Sequence, residues 1–211
     1  KESLNKYNVN FIDSSFGGWK IDENTTKFLG RIIETFKPEN VLEFGSGTST
    51  LLFANEIKKG NIKKLWSIDH LEDFPEHPRK QIEKLNIKDK IIFKNYKIRP
   101  QTYKGKLINF YKNDKKFFNE VKKIDLLFID GPPYYFFARE AALYSCFDYL
   151  SDNSIIILDD AIRNNYEKEF INNWNFIYHK NIQIDIYTGN YEKGLSEILK
   201  KIVLLRLKNF L

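Results

Sequence analysis

Two runs, IDLLFI (Ile124 to Ile129) and SIIIL (Ser154 to Leu158), are nearly all apolar and too short to be core-spanning helices. They lack the alternation of a strand with one wet face. Strands buried on both faces belong to parallel sheets covered by helices on each side, so these two runs point to an α/β architecture.

The remaining chain fits that class. Thr25 to Phe36 (TTKFLGRIIETF) places Phe28, Leu29, Ile32, Ile33 and Phe36 on one helical face, with Pro38 marking the exit. Asn40 to Phe44 reads as a strand, GSGTST as a turn and Leu51 to Lys58 as a helix. The alternation repeats with a strand at Lys64 to Asp69, a helix from Pro78 to Leu85 and a strand at Lys90 to Lys94. Tyr96 to Tyr111, polar, aromatic and broken by Pro100 and Gly105, reads as a long surface loop. A helix from Tyr135 to Leu150 follows IDLLFI, and Phe176 to Tyr178 and Ile182 to Tyr187 read as strands. Gly194 to Lys201 suits either a strand or a helical turn. The expected organisation is one domain over residues 1–211: a lead-in helix segment (1–38), a sheet domain (39–200) and a tail (201–211) packed as an edge element.

In an open parallel sheet, ligands bind outside the carboxyl ends of the strands. The first such end is EFGSGTST, Glu43 to Thr50. Gly45 and Gly47 permit positive φ and close backbone approach, while Ser46, Thr48, Ser49 and Thr50 offer hydroxyls and helix N-terminal amides. The third glycine of a dinucleotide fingerprint is missing, and Glu43 would repel a pyrophosphate. A cationic or zwitterionic ligand fits better. The second strand ends in Asp69-His70, where a carboxylate can accept both hydroxyls of a ribose.

These residues resemble the class I S-adenosylmethionine-dependent methyltransferases, over about Trp19 to Lys200. The likeness is nearest to a bacterial branch sharing WxI, VLEFGSGTST, SIDH, IDLLFIDGPP and IIILDDAIR. It implies a Rossmann-like, doubly wound sheet in three α/β/α layers, seven-stranded and mostly parallel with a reversed last strand. It also implies that Glu43, Gly45, Ser46 and Gly47 hold the methionine part of the cofactor and Asp69 the ribose, with His70 alongside. Ser49 and Thr50 complete the expected cofactor loop.

Asp130 closes one of the buried strands, and Asp159 and Asp160 close the other. Adjacent strands lie about 4.8 Å apart, so neighbouring positions in the sheet would bring these carboxylates together. Crowded carboxylates oppose one another's ionisation unless a cation lies between them, and Mg²⁺ or Mn²⁺ suits oxygen ligands. The pattern is similar to metal-dependent O-methyltransferases, which carry an Asp-Asn pair where this chain has Asp159-Asp160. It implies catalytic and metal-binding roles for all three aspartates. A helix N-cap is the structural alternative for the pair, and a metal-free general base the chemical one. Tyr134 and Arg163 are candidate acceptor contacts. Arg139, expected to pair with Glu140 or a neighbouring strand, has no assigned role.

Gly-Pro-Pro-Tyr at Gly131 to Tyr134 leaves N-methylation open through the loop that amino-methyltransferases use, but glycine stands where those enzymes place Asp or Asn. The surplus of 34 basic over 28 acidic side chains, +6, is spread along the chain, which argues against a nucleic-acid binder. The lone Cys146 permits no disulfide framework, and no apolar run reaches membrane-spanning length. The expectation is a cytoplasmic enzyme acting on a hydroxyl of a small, anionic or sugar-derived acceptor.

Overall fold

Alternate residues of a strand point to opposite faces, and here both sets are apolar, so the sheet has to be covered twice. The computed structural model, which describes residues 21–72, 76–112, 115–121, 123–133, 136, 138–161, 165–187 and 195–200, has that arrangement. Helix α1 (Glu23–Phe36) is capped by Asp22, whose carboxylate accepts from Thr25 N–H at 2.6 Å. Strand β1 (Asn40–Phe44), helix α2 (Thr48–Lys59), strand β2 (Lys64–Asp69), helix α3 (Glu76–Lys84) and strand β3 (Ile91–Asn95) follow. Next come β4 (Ile98–Tyr103), β5 (Lys106–Tyr111), α4 (Lys115–Val121), β6 (Ile124–Ile129) and α5 (Glu140–Cys146). The chain continues through β7 (Leu150–Asp159), α6 (Asn165–Tyr178), β8 (Ile182–Tyr187) and β9 (Leu195–Lys200).

Seven strands form one sheet in the order β3-β2-β1-β6-β7-β9-β8. The first five are parallel, and β9 runs antiparallel to both β7 and β8, giving the reversed last strand. Val41, Leu65, Leu126, Phe128, Ile155 and Ile157 face one apolar cluster with Leu29 and Ile33 of α1 and Leu52 and Phe53 of α2. Leu42, Phe44, Ile68, Leu127, Ile129 and Ile156 face the other, with Phe117 of α4, Ala141 of α5 and Phe170 and Trp174 of α6. The fold is thus a three-layer, Rossmann-like α/β/α sandwich.

Three expectations need correction. The stretch Tyr96 to Tyr111 is not a loop, since β4 and β5 pair as an antiparallel hairpin. Its turn residues Lys104 and Gly105 both have positive φ (48° and 81°), the pattern of a two-residue primed turn. Lys-Gly is a weaker signal than Asn-Gly, which hid the hairpin. Phe176 to Tyr178 is the last turn of α6; Phe170, Trp174 and Tyr178, spaced by four, are buried, and the adjacent aromatic Phe176 is exposed. Of the helix read as Tyr135 to Leu150, the described residues form α5 and a 3₁₀ turn at Phe147–Tyr149, and Leu150 already belongs to β7. Within Gly194 to Lys201, Leu195–Lys200 form strand β9, while residues 1–20 and the tail 201–211 lie outside the described residues. Cys146 is buried and unbridged.

Candidate active site

The register Phe44↔Ile129 and Ile129↔Leu158 sets the carboxyl ends of β1, β6 and β7 side by side. Beyond β1 the chain enters α2 against one face of the sheet, and beyond β6 it enters α5 against the other, so the crevice between them is a topological switch point. Phe44 O accepts from both Asp130 N–H (2.9 Å) and Gly131 N–H (2.7 Å), which joins the two loops. Gly45, at φ 96°, has no room for a side chain: a Cβ there would stand 2.7 Å from Gly131 N. A Cβ on Gly131 would stand 2.7 Å from Gly45 Cα. Both glycines are required by this contact, and it explains the residue that precedes the two prolines.

Gly45, Ser46 and Gly47 are half-buried along the crevice, whereas Ser49, Thr50 and Glu43 are buried beneath it. Glu43 accepts hydrogen bonds from Ser49 Oγ, from Thr50 Oγ1 at 2.7 Å and from Ser67 Oγ at 2.6 Å. Thr50 Oγ1 in turn accepts from Gly47 N–H at 2.9 Å, and Ser46 Oγ lies 2.7 Å from Ser67 Oγ. The carboxylate therefore reaches the glycine loop through hydroxyls. Burial pushes its pKa up to about 7 against the opposing effect of the three hydroxyls.

Asp69, at the end of β2, accepts from Ser46 N–H at 2.9 Å and from Leu71 N–H at 2.8 Å, and keeps part of its carboxylate open to solvent. His70 Nδ1 lies 3.1 Å from Asp69 Oδ1, and its ring meets Phe136 edge-on at 5.8 Å. Each Asp69 oxygen retains acceptor capacity for a ribose hydroxyl.

Asp130, Asp159 and Asp160 converge, each offering an oxygen within 4.8 Å of the others. Asp160 reaches inward from a left-handed backbone (φ 57°) and is buried, while Asp130 and Asp159 are partly open. The inner side of the cluster is occupied by Arg139, a buried residue at the start of α5. Its guanidinium donates to Asp130 Oδ1 (3.2 Å) and Asp160 Oδ2 (3.4 Å), and to the carbonyls of Pro132 (3.0 Å), Asp159 (3.1 Å) and Asp130. Of the two partners expected for Arg139, the neighbouring strands are the ones it meets, at Asp159 of β7 and at Asp130 and Asp160 directly after β6 and β7; Glu140 instead bonds Lys106, Tyr144 and Asn173. With one guanidinium against three carboxylates the cluster keeps a formal charge of about −2, and its oxygen donors suit a hard divalent cation.

Tyr134 and Arg163 lie outside the described residues. Two residues at the site escaped the sequence reading: Arg139 and Tyr111, the latter at the end of the hairpin. For Arg139 a signal existed, a basic residue entering a helix nine positions after a strand-end aspartate. Tyr111 had none while its segment read as a loop.

The methyltransferase domain family model matches residues 42–161, more than half of the chain. No curated protein matches the sequence. Among solved structures, the chain is similar to an O-methyltransferase from Bacillus cereus in complex with SAH, at TM-score 0.65 and 14% identity, covering 95% of this chain and 91% of that one. It is also similar to a methyltransferase from Geobacter sulfurreducens (TM-score 0.62, 15% identity, 95% and 89% covered). A third is the SAH-bound Podospora anserina methyltransferase PaMTH1 (TM-score 0.59, 14% identity, 94% and 86% covered). At these identities the likeness speaks for the fold, while the family match runs through the glycine loop, Asp69 and the three strand-end aspartates. The chain belongs to the methyltransferase domain family, as a class I S-adenosylmethionine-dependent enzyme.

Proposed function

We propose that this enzyme methylates a hydroxyl of a small, anionic or sugar-derived acceptor, assisted by a divalent cation, Mg²⁺ or Mn²⁺, at Asp130, Asp159 and Asp160. The observation that carries this reading is the convergence of three carboxylates, within 4.8 Å, at the switch point beside the glycine loop. The Bacillus cereus neighbour, named an O-methyltransferase, agrees with it.

The glycine loop Gly45-Ser46-Gly47 holds the methionine part of the cofactor, braced from beneath by Glu43 through Ser49 and Thr50, and Asp69 takes the ribose with His70 beside it. S-adenosylmethionine supplies an electrophilic methyl group whose departure leaves a neutral thioether. The carbon–sulfur bond breaks as the carbon–oxygen bond forms, and the acceptor's hydroxyl proton passes to a carboxylate of the cluster. A bound divalent cation would favour the alkoxide form of the acceptor and fix its direction. Asp130 and Asp159, the more open pair, meet the acceptor; Asp160 answers Arg139 and holds the cluster's inner side. Tyr134 and Arg163 are the proposed acceptor contacts.

The amino-methyltransferase alternative needs a side chain immediately before the two prolines to grip an amine. Gly131 is held against Gly45 with no space for one. That disfavours N-methylation.

The test is conversion of S-adenosylmethionine to S-adenosylhomocysteine across a panel of hydroxyl and amine acceptors, with and without EDTA. Turnover should favour hydroxyl acceptors, fall after EDTA and return with Mg²⁺ or Mn²⁺. Asp130→Ala should lower it about 100-fold or more, and Pro132→Ala should mainly change acceptor KM. Full turnover in EDTA with no response to either ion would overturn the metal, and amine-only turnover would overturn the acceptor class.

A further inference from the structure

Tyr111 ends β5, in a hairpin inserted between β3 and α4, and it is 2% exposed. Its ring is fixed on the sheet, stacked on Phe44 (centroids 5.7 Å apart, planes 10°) and edge-on to Phe110 at 5.1 Å. A phenylalanine would satisfy all of that packing. The hydroxyl is what needs an account, because Tyr111 Oη is buried and has no hydrogen-bond partner among the described residues. Buried polar atoms in folded proteins are overwhelmingly paired, so an orphan calls for an explanation, and a bound ligand supplies one where the atom faces a ligand site.

Its position says from where. Tyr111 Oη lies against Gly131, 2.5 Å from the point a Cβ on that glycine would occupy, and Gly131 in turn abuts Gly45. The hydroxyl therefore ends at the seam of the two glycine loops, at the switch point between β1 and β6 where ligands of such sheets bind. Asp69, Asp130, Glu43 and Arg139 all lie near enough to bias its ionisation, and burial holds the phenol protonated, so it is a donor at neutral pH.

We propose that Tyr111 is a cofactor-binding residue, its hydroxyl carried to the Gly45–Gly131 seam by the β4–β5 hairpin to donate a hydrogen bond to an acceptor atom of the S-adenosyl ligand. The inference rests on the cofactor reading of the glycine loop and adds to it an element that lies outside the strand-end loops. The hairpin thereby becomes part of the cofactor site.

The experiment compares S-adenosylhomocysteine binding, by calorimetry, with thermal stability of the ligand-free protein, for wild type and Tyr111→Phe. Loss of one neutral hydrogen bond should weaken binding roughly threefold to tenfold. The ligand-free variant should melt no lower than wild type, since it sheds an unpartnered buried hydroxyl. Unchanged affinity in Tyr111→Phe overturns the inference and leaves the proposed function standing. A loss of affinity matched by a lower melting temperature also overturns it, in favour of a packing role. Failure of wild type to bind S-adenosylhomocysteine overturns the cofactor reading and this inference together.

Discussion

Glu43 is a carboxylic acid sealed beneath a loop, and its ionisation is coupled to folding. Burial raises it from 4.5 to about 7, so the folded chain keeps a proton that the unfolded chain has lost across that window. Its contribution to stability is present in full below pH 4.5 and is lost as the pH rises to about 7. The total is on the order of 3 kcal/mol. Glu43→Gln cannot titrate, so denaturant unfolding at pH 5 and pH 8 should show a smaller drop for the variant than for wild type; parallel losses would contradict the assignment. At this scale the sequence revealed positions better than directions. Asp130, Asp159 and Asp160 were legible because each ends an apolar run, and where a strand stops follows from local composition. That Glu43 turns inward to Ser49, Thr50 and Ser67 was not legible, because both alternatives place it at the same strand end.

Elements meet at the site through residues that join them, and Arg139 joins the most. One guanidinium ties the ends of β6 and β7 to the bend after β6, through three carbonyls and two carboxylates. Removing it would leave three close carboxylates without their internal cation, and breaking a buried pair in this way costs about 3 to 5 kcal/mol. Arg139→Met should therefore lower the urea midpoint by a corresponding amount, and added Mg²⁺ should recover part of the loss by supplying positive charge to the same cluster. A variant as stable as wild type, or one indifferent to Mg²⁺, would show that the carboxylates need no cation. Such a hub is invisible to periodicity, since its partners lie up to 21 positions away and are specified by the sheet order. The β4–β5 hairpin was missed for a different reason. Its strands carry Pro100 and many polar residues, and of their side chains only Tyr103, Ile108, Phe110 and Tyr111 are buried.

At the scale of the whole molecule, the doubly covered sheet was readable because every central strand is apolar on both faces, a pattern with few architectural solutions. The charge was less so. Lys94, Lys97, Arg99, Lys104, Lys106 and Lys112 fall within a stretch, Ile91 to Lys112, that has no acidic residue. The surplus of +6 is therefore not spread along the chain as expected but falls on β3, the hairpin and their flanks, the rest of the sequence being balanced, and even spread is no argument against a nucleic-acid partner. That concentrates basic residues on the hairpin that carries Tyr111, where Lys106 is held by Glu140 at 2.9 Å. The crevice itself is built from loops on β1, β2, β6 and β7, so a cofactor held in the proposed place would touch four strands at once and should stabilise the domain as a unit. For a ligand that binds only the folded state at 100 times its Kd, the gain is about 2.7 kcal/mol, which in a chain of this size corresponds to a rise in Tm of roughly 5 to 10 °C. Thermal unfolding followed at increasing S-adenosylhomocysteine should show that rise as one cooperative transition, growing with the logarithm of ligand concentration once the site is saturated. Two transitions, with only one responding to ligand, would mean that the crevice does not couple the sheet.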